Sequence, residues 1–135
     1  MSNIISLIKN SSNFVSLQPA SASEIQAAET QLGLLFASDY KEYLLAFGAA
    51  SFDGKELTGI SKSERLSVVS ATERARSFYP LLPRSIYVIE ELGFDNYFIV
   101  QDSSGRVYSY GTSDLGKLIA ESLKEYLFTE QIDER

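Results

Sequence analysis

The chain has 135 residues, 44% of them hydrophobic and 12% aromatic, enough to bury a core within one domain spanning residues 1–135. It contains no His and no Cys, which excludes disulfides, thiolate or imidazole metal sites and the usual nucleophile–base pairs of catalysis. The formal charge is −6, with eight acidic and eight basic residues up to Arg84 and ten acidic against four basic beyond it, so phosphate neutralisation on nucleic acid is not expected.

Asn3 to Lys9 reads as a short helix with Ile4, Ile5 and Ile8 at helical spacing. The run is too short and its flank too little charged for a signal peptide, and no apolar stretch approaches a membrane span. A cytoplasmic, membrane-free protein is expected. Asn10-Ser11-Ser12 matches a glycosylation acceptor, read as coincidence without a secretion signal.

After a polar segment containing Pro19, Ser21 or Ser23 caps a second helix, each with Glu24 or Gln26 three positions on. Ile25, Ala28 and Leu32 form its apolar stripe, and Gly33 stands where a left-handed cap ends it. Ser38 is expected to cap a third helix with Asp39 at its positive end. Its buried face is Tyr40, Tyr43 or Leu44, and Phe47, and Gly48 stops it.

Short strands follow at Ser51 to Phe52 and Glu56 to Ile60, joined across Asp53-Gly54, a dipeptide suited to a tight primed turn. Ser61 to Ser67 reads as a loop, and Ser70 as the cap of a helix over Ala71 to Phe78 that Pro80 and Pro83 terminate. Ile86 to Ile89 and Tyr97 to Val100 are apolar on both faces and read as central strands. A turn over Asp102-Ser103-Ser104-Gly105 leads to a strand at Arg106 to Tyr110. Ser113 is then expected to cap a long helix from Asp114 to about Phe128, with Leu115, Leu118, Ile119, Ser122 and Tyr126 on one side. The expected architecture is α+β: a mostly antiparallel sheet of about five to six strands, packed by the N-terminal helices and a long C-terminal helix.

The order of these pieces resembles the SUKH superfamily, named partly after yeast cell-wall-assembly regulators and including many bacterial toxin-immunity proteins. Glu24, Ile25, Glu29 and Leu32-Gly33 fit the family's first motif helix, and Asp39-Tyr40-Lys41-Glu42-Tyr43-Leu44 with Gly48 fits its second. Gly54-Lys55-Glu56-Leu57-Thr58-Gly59 is similar to its short glycine-bearing strand. Asp95 to Asp102 and Val107 to Tyr110 resemble its later strands. Phe36-Ala37 stands where the family often has Leu-Pro, and Ala49-Ala50 follows Gly48 where a second glycine is common. The resemblance implies a non-catalytic domain that binds proteins. In bacterial members it implies an immunity protein that neutralises a cognate toxin, frequently a nuclease.

A basic toxin cleft would be met by carboxylates, because a one-signed surface speeds encounter with an oppositely charged one. The candidate contact residues are Glu90, Glu91, Asp95 and Asp102, with Tyr97, Tyr108 and Tyr110 as aromatic anchors. Asp53 and Glu56 form a second acidic point beside Gly54. Read without a partner, these carboxylates are solvated turn residues, the tyrosines are core, and the acidity serves solubility. Glu90 with Asp102 is a carboxylate pair of the kind that occurs by chance, and no phosphate-binding glycine loop, nucleophile elbow or cation-loop spacing accompanies it. No enzyme activity, cofactor or metal is expected. The alternatives are a regulatory module binding a cellular protein, and a small-ligand binder with a pocket between the sheet and the last helix.

Overall fold

The computed structural model describes residues 3–92, 96–112 and 115–128. Among these residues five helices and seven strands follow in the order α1 (Ile4–Lys9), β1 (Val15–Ser16), α2 (Ala22–Leu32), α3 (Ser38–Phe47), β2 (Ala50–Phe52), β3 (Lys55–Glu56), α4 (Val68–Phe78), β4 (Tyr87–Glu91), β5 (Phe98–Gln101), β6 (Val107–Tyr110), β7 (Leu115–Ala120) and α5 (Leu123–Phe128), with a 3₁₀ turn at Glu64–Leu66 before α4. The α+β class holds. The single sheet of five to six strands does not: there are two antiparallel sheets, β1-β2-β3 and β4-β5-β6-β7. They meet at Thr58, whose N–H donates to Ile89 O (2.9 Å) and whose hydroxyl donates to Val88 O (2.7 Å). The chain leaves the small sheet at Glu56, so that contact is not extended into a further ladder.

The helix pair forms as its sequence requires. Ser21 Oγ accepts from Glu24 N–H (3.1 Å) while the Glu24 carboxylate accepts from Ser21 N–H (2.9 Å), closing the capping box. Ile25, Ala28 and Leu32 are buried, and Gly33 ends α2 at φ +72°. In α3, Tyr40, Tyr43, Leu44 and Phe47 are all buried. Ser38 is not its cap. Ala37 stands there in extended conformation, and its N–H donates to the Tyr87 hydroxyl (2.9 Å). A strand residue thus directs the entry to the helix in place of a proline or a capping hydroxyl. Likewise α4 starts three residues earlier than expected, with Ser67 Oγ accepting from Ser70 N–H (3.2 Å).

The largest departure is the expected C-terminal helix. Residues 115–120 form the edge strand β7, paired with β6 with register shifts at Val107/Tyr108 and Ser109/Tyr110. Bulges explain why the apolar residues there mimic a helical period: an extra residue resets the alternation. Gly116, at φ +87°, lies outside helical conformation. Only the last turns are helical, and their cap is Ser122, whose Oγ accepts from Glu125 N–H (3.0 Å). Ser113 and Asp114 lie outside the described residues. The two-residue strand β1, paired with β2, falls in a segment that reads as polar coil.

The four-stranded sheet carries a core on each face, the second of them over β4 and β5. Tyr87, Ile89, Ile99, Val107 and Ala120 pack toward α1, α3 and α5 in the larger core. There Phe36 meets Tyr40 and Tyr87 edge-to-face and Tyr40 lies tilted against Tyr87, at centroid separations of 4.8–5.2 Å, each such pair adding about 0.5–1.5 kcal/mol beyond its burial. On the other face Val88, Phe98 and Val100 meet Ala71 and Ala75 of α4, with Leu82 and Ile86 from the following loop.

Candidate protein-docking surface

Among the described residues, the carboxylates expected to form one acidic patch do not lie together as an open surface. Glu90 lies within β4, 7% exposed, and its carboxylate accepts from the Tyr126 hydroxyl. Glu91 is held by Arg74 of α4 through two bonds, Nη2 to Oε1 at 2.7 Å and Nε to Oε2 at 3.2 Å. Both were expected in a loop; strand β4 extends through them, and that is why neither presents a free carboxylate. Asp53 closes the β2–β3 turn at φ +51° and accepts from Ser12 N–H (3.1 Å) and its hydroxyl. Glu56 is exposed and paired with Arg65. Tyr97 is partly buried against the larger core, with its ring over Gly111. Asp95 lies outside the described residues.

Asp102 has a different setting. Its Oδ1 accepts from Ser104 N–H (3.0 Å), Ser104 Oγ (2.6 Å) and Arg106 N–H (3.1 Å), and its Oδ2 from the Tyr108 hydroxyl (3.0 Å). Burial works against the charged form, but these bonds from Ser104, Tyr108 and Arg106 outweigh it and hold the pKa below the ordinary carboxylate range. Asp102 is therefore an anion at neutral pH. Burial, and for Tyr108 the bond to Asp102, raises the pKa of both Tyr108 and Tyr110, so both keep their protons.

Tyr108 and Tyr110 sit on the face of the sheet that α4 covers, but farther along it. Their register partners are Val100 and Phe98 on one side and Leu118 and Leu115 on the other. Directly opposed residues share a face, so the four side chains form one row across β6 and β7. Helix α4 packs over β4 and β5 and leaves this part uncovered: Leu115 is 67% and Leu118 46% exposed. The loop after α4 rises beside it and carries Leu81, 97% exposed. Between loop and sheet is a cavity of about 290 Å³, lined by Pro83, Ser85, Ile86, Asp102, Tyr108, Tyr110 and Gly116. Gly116 is part of its shape, since a Cβ there would lie 2.9 Å from the Tyr110 hydroxyl.

Of the sequence-derived candidates, only Asp102, Tyr108 and Tyr110 are brought together. The alternation of Val107, Tyr108, Ser109 and Tyr110 already placed both tyrosines on one face. Ser85, Ile86, Gly116 and Leu118 carried no local signal, since they join the site through a loop crossing and a bulged edge strand. Among the described residues no group of three or more acidic side chains is arranged to hold a metal ion, and no helix is long and apolar enough to cross a membrane.

A family model described as SUKH_5, SMI1-KNR4 cell-wall, matches residues 1–131 of this chain. The fold is similar to that of a crystal structure of a protein from Pseudomonas syringae pv. tomato, with a TM-score of 0.73 at 17% identity over 90% of this chain and 91% of that one. Comparison with curated protein sequences gave no match.

Proposed function

This chain belongs to the SUKH (SMI1-KNR4) family, and from that premise we propose that it is an immunity protein, binding a cognate bacterial toxin and blocking it without catalysis. The observation that carries the reading is the row of half-buried Tyr108 and Tyr110 beside the exposed Leu115 and Leu118 on the large sheet. Aromatic residues on a rigid strand, flanked by exposed aliphatic side chains, have the composition of an interface core. The absence of His and Cys from the chain is in keeping with action by binding. The net charge of −6 favours a basic partner such as a nuclease, whose substrate cleft is built for phosphate.

Co-expression with the toxin encoded beside this gene tests the proposal. Growth is expected to be rescued by the intact chain and lost when Tyr108 and Tyr110 are both changed to Ala. Killing that persists while the intact chain is soluble and folded would overturn it.

A further inference from the structure

We propose that the cavity beside β6 is a receptor for a single arginine side chain of the protein partner, with Asp102 as counter-ion and the two tyrosines as its aromatic walls. The inference rests on the docking reading above and names what that surface recognises.

The first argument is size. A cavity of about 290 Å³ falls just below the ~300–1,000 Å³ of small-molecule and cofactor sites. It suits one long side chain.

The second is unspent hydrogen-bonding capacity. A carboxylate offers about four lone-pair sites, two per oxygen. Among the described residues, Asp102 Oδ1 is saturated by three donors, whereas Oδ2 receives only the Tyr108 hydroxyl. The Tyr110 hydroxyl, also at the cavity, makes no hydrogen bond among the described residues. An N–H donor entering here meets an anionic acceptor already held in place by Ser104, Arg106 N–H and Tyr108, so binding would not require it to be ordered.

The third is charge. Among the described residues no cation lines the cavity. The nearby Arg106 guanidinium is engaged by Glu121 (Nε to Oε1, 3.2 Å), and Arg76 donates to the Arg84 carbonyl, holding that part of the loop. A half-buried anion facing aromatic rings attracts a planar guanidinium in particular. That group can bond the carboxylate edge-on while stacking on a ring, which an ammonium cannot do. Leu118, the exposed register partner of Tyr108, would help a docked partner exclude water from the pair, strengthening it.

The test uses the full chain and the peptides acetyl-Gly-Arg-Gly-amide and acetyl-Gly-citrulline-Gly-amide, followed by two-dimensional amide NMR. The arginine peptide is expected to give saturable shifts at Ile86, Asp102 to Tyr110 and Gly116, with a Kd on the order of 1–10 mM. The citrulline peptide, equal in shape but uncharged, should give none. Asp102→Asn and Tyr110→Ala should each weaken the arginine peptide about tenfold or more while the rest of the spectrum stays native, and Glu56→Gln, on the other sheet, should leave it unchanged. Arginine shifts absent, shared by citrulline, or insensitive to both cavity variants would overturn the inference. Failure here alongside intact toxin neutralisation would leave the immunity reading standing. Binding here without neutralisation would do the reverse.

Discussion

Thr58 illustrates how much can depend on one buried hydroxyl. It is 2% exposed; its Oγ donates to Val88 O (2.7 Å) and accepts from the Tyr40 hydroxyl (2.9 Å), which also points at the Thr58 carbonyl (3.1 Å), while that carbonyl accepts from Tyr43 (3.0 Å). Thr58→Val keeps the shape and strands Val88 O in the interior, so it should cost about 1–3 kcal/mol in urea unfolding. A loss below a few tenths would mean that the link between the sheets is carried elsewhere. Gln101 is a comparable case: fully buried, it accepts from Tyr87 and donates to Asp39 (3.0 Å) and to Gly105 O (3.0 Å), while Asp39 also accepts from Leu123 N–H (2.9 Å). The sequence offered Asp39 as a helix-dipole residue. Its actual partners are 62 and 84 positions away, and no local pattern encodes such distances.

Glu90 supplies a pH prediction. Burial raises its pKa, and the Tyr126 bond and Lys55 pull it back only in part. The folded state therefore binds the proton more tightly than the unfolded state does. Stability from this group is complete below the unfolded value and is lost as pH rises through the raised folded value. Glu90→Gln has no proton to lose and can still accept from Tyr126. Its unfolding midpoint relative to wild type should therefore climb as pH is raised from the ordinary carboxylate range toward neutrality. A difference that is flat or falls with pH would contradict the assignment.

Among the elements, the turn after α3 shows local signals and long-range packing acting on the same residue. Gly48 ends the helix at φ +73°, but a Cβ on it would also lie 2.1 Å from Gln18 O. Gly59 has no unusual φ, yet a Cβ on it would lie 1.9 Å from Gly48 O and 2.9 Å from Ala49 Cα. Three chain segments thus cross backbone to backbone. Gly59→Ala should cost about 2–4 kcal/mol, since backbone rather than a movable side chain must yield. Gly54→Ala, at φ +77° with open space around it, should cost about 1–2 kcal/mol through conformation alone. Chemical denaturation of the two variants tests the ranking, and equal losses would refute the close approach. The helices α2 and α3 were legible because period, cap and stop coincide within about a dozen residues. Strand β7 was not, because its bulges reset the alternation, and the Ser122 to Glu125 cap signal lay inside what reads as one continuous helix.

Across the described residues, the acidity is dispersed rather than concentrated. Glu91, Glu56 and Glu121 are paired with Arg74, Arg65 and Arg106, Glu90 is buried, and Asp102 caps a turn. The −6 charge acts as a general field that keeps copies apart and, on the proposed reading, would draw a basic partner, with recognition assigned to the tyrosine row and its cavity. Loss of that field has a measurable consequence. Light scattering should show a solubility minimum near the sequence pI of about 4.6, in the pH range where protonated Glu90 still favours the fold. A minimum displaced well away from this value would show that other surface forces dominate.

The linear order of residues sufficed for the α+β class, the helix pair with its caps and stripes, the Asp53-Gly54 turn and the family. Each of these depends on neighbours within a turn or two, where spacing translates directly into geometry. Which carboxylates stay free, where the sheet divides, and which surface remains open were settled by folding in three dimensions. Those outcomes depend on burial and on partners tens of residues away, such as Tyr126 for Glu90 and Arg74 for Glu91, and spacing along the chain carries no information about such meetings.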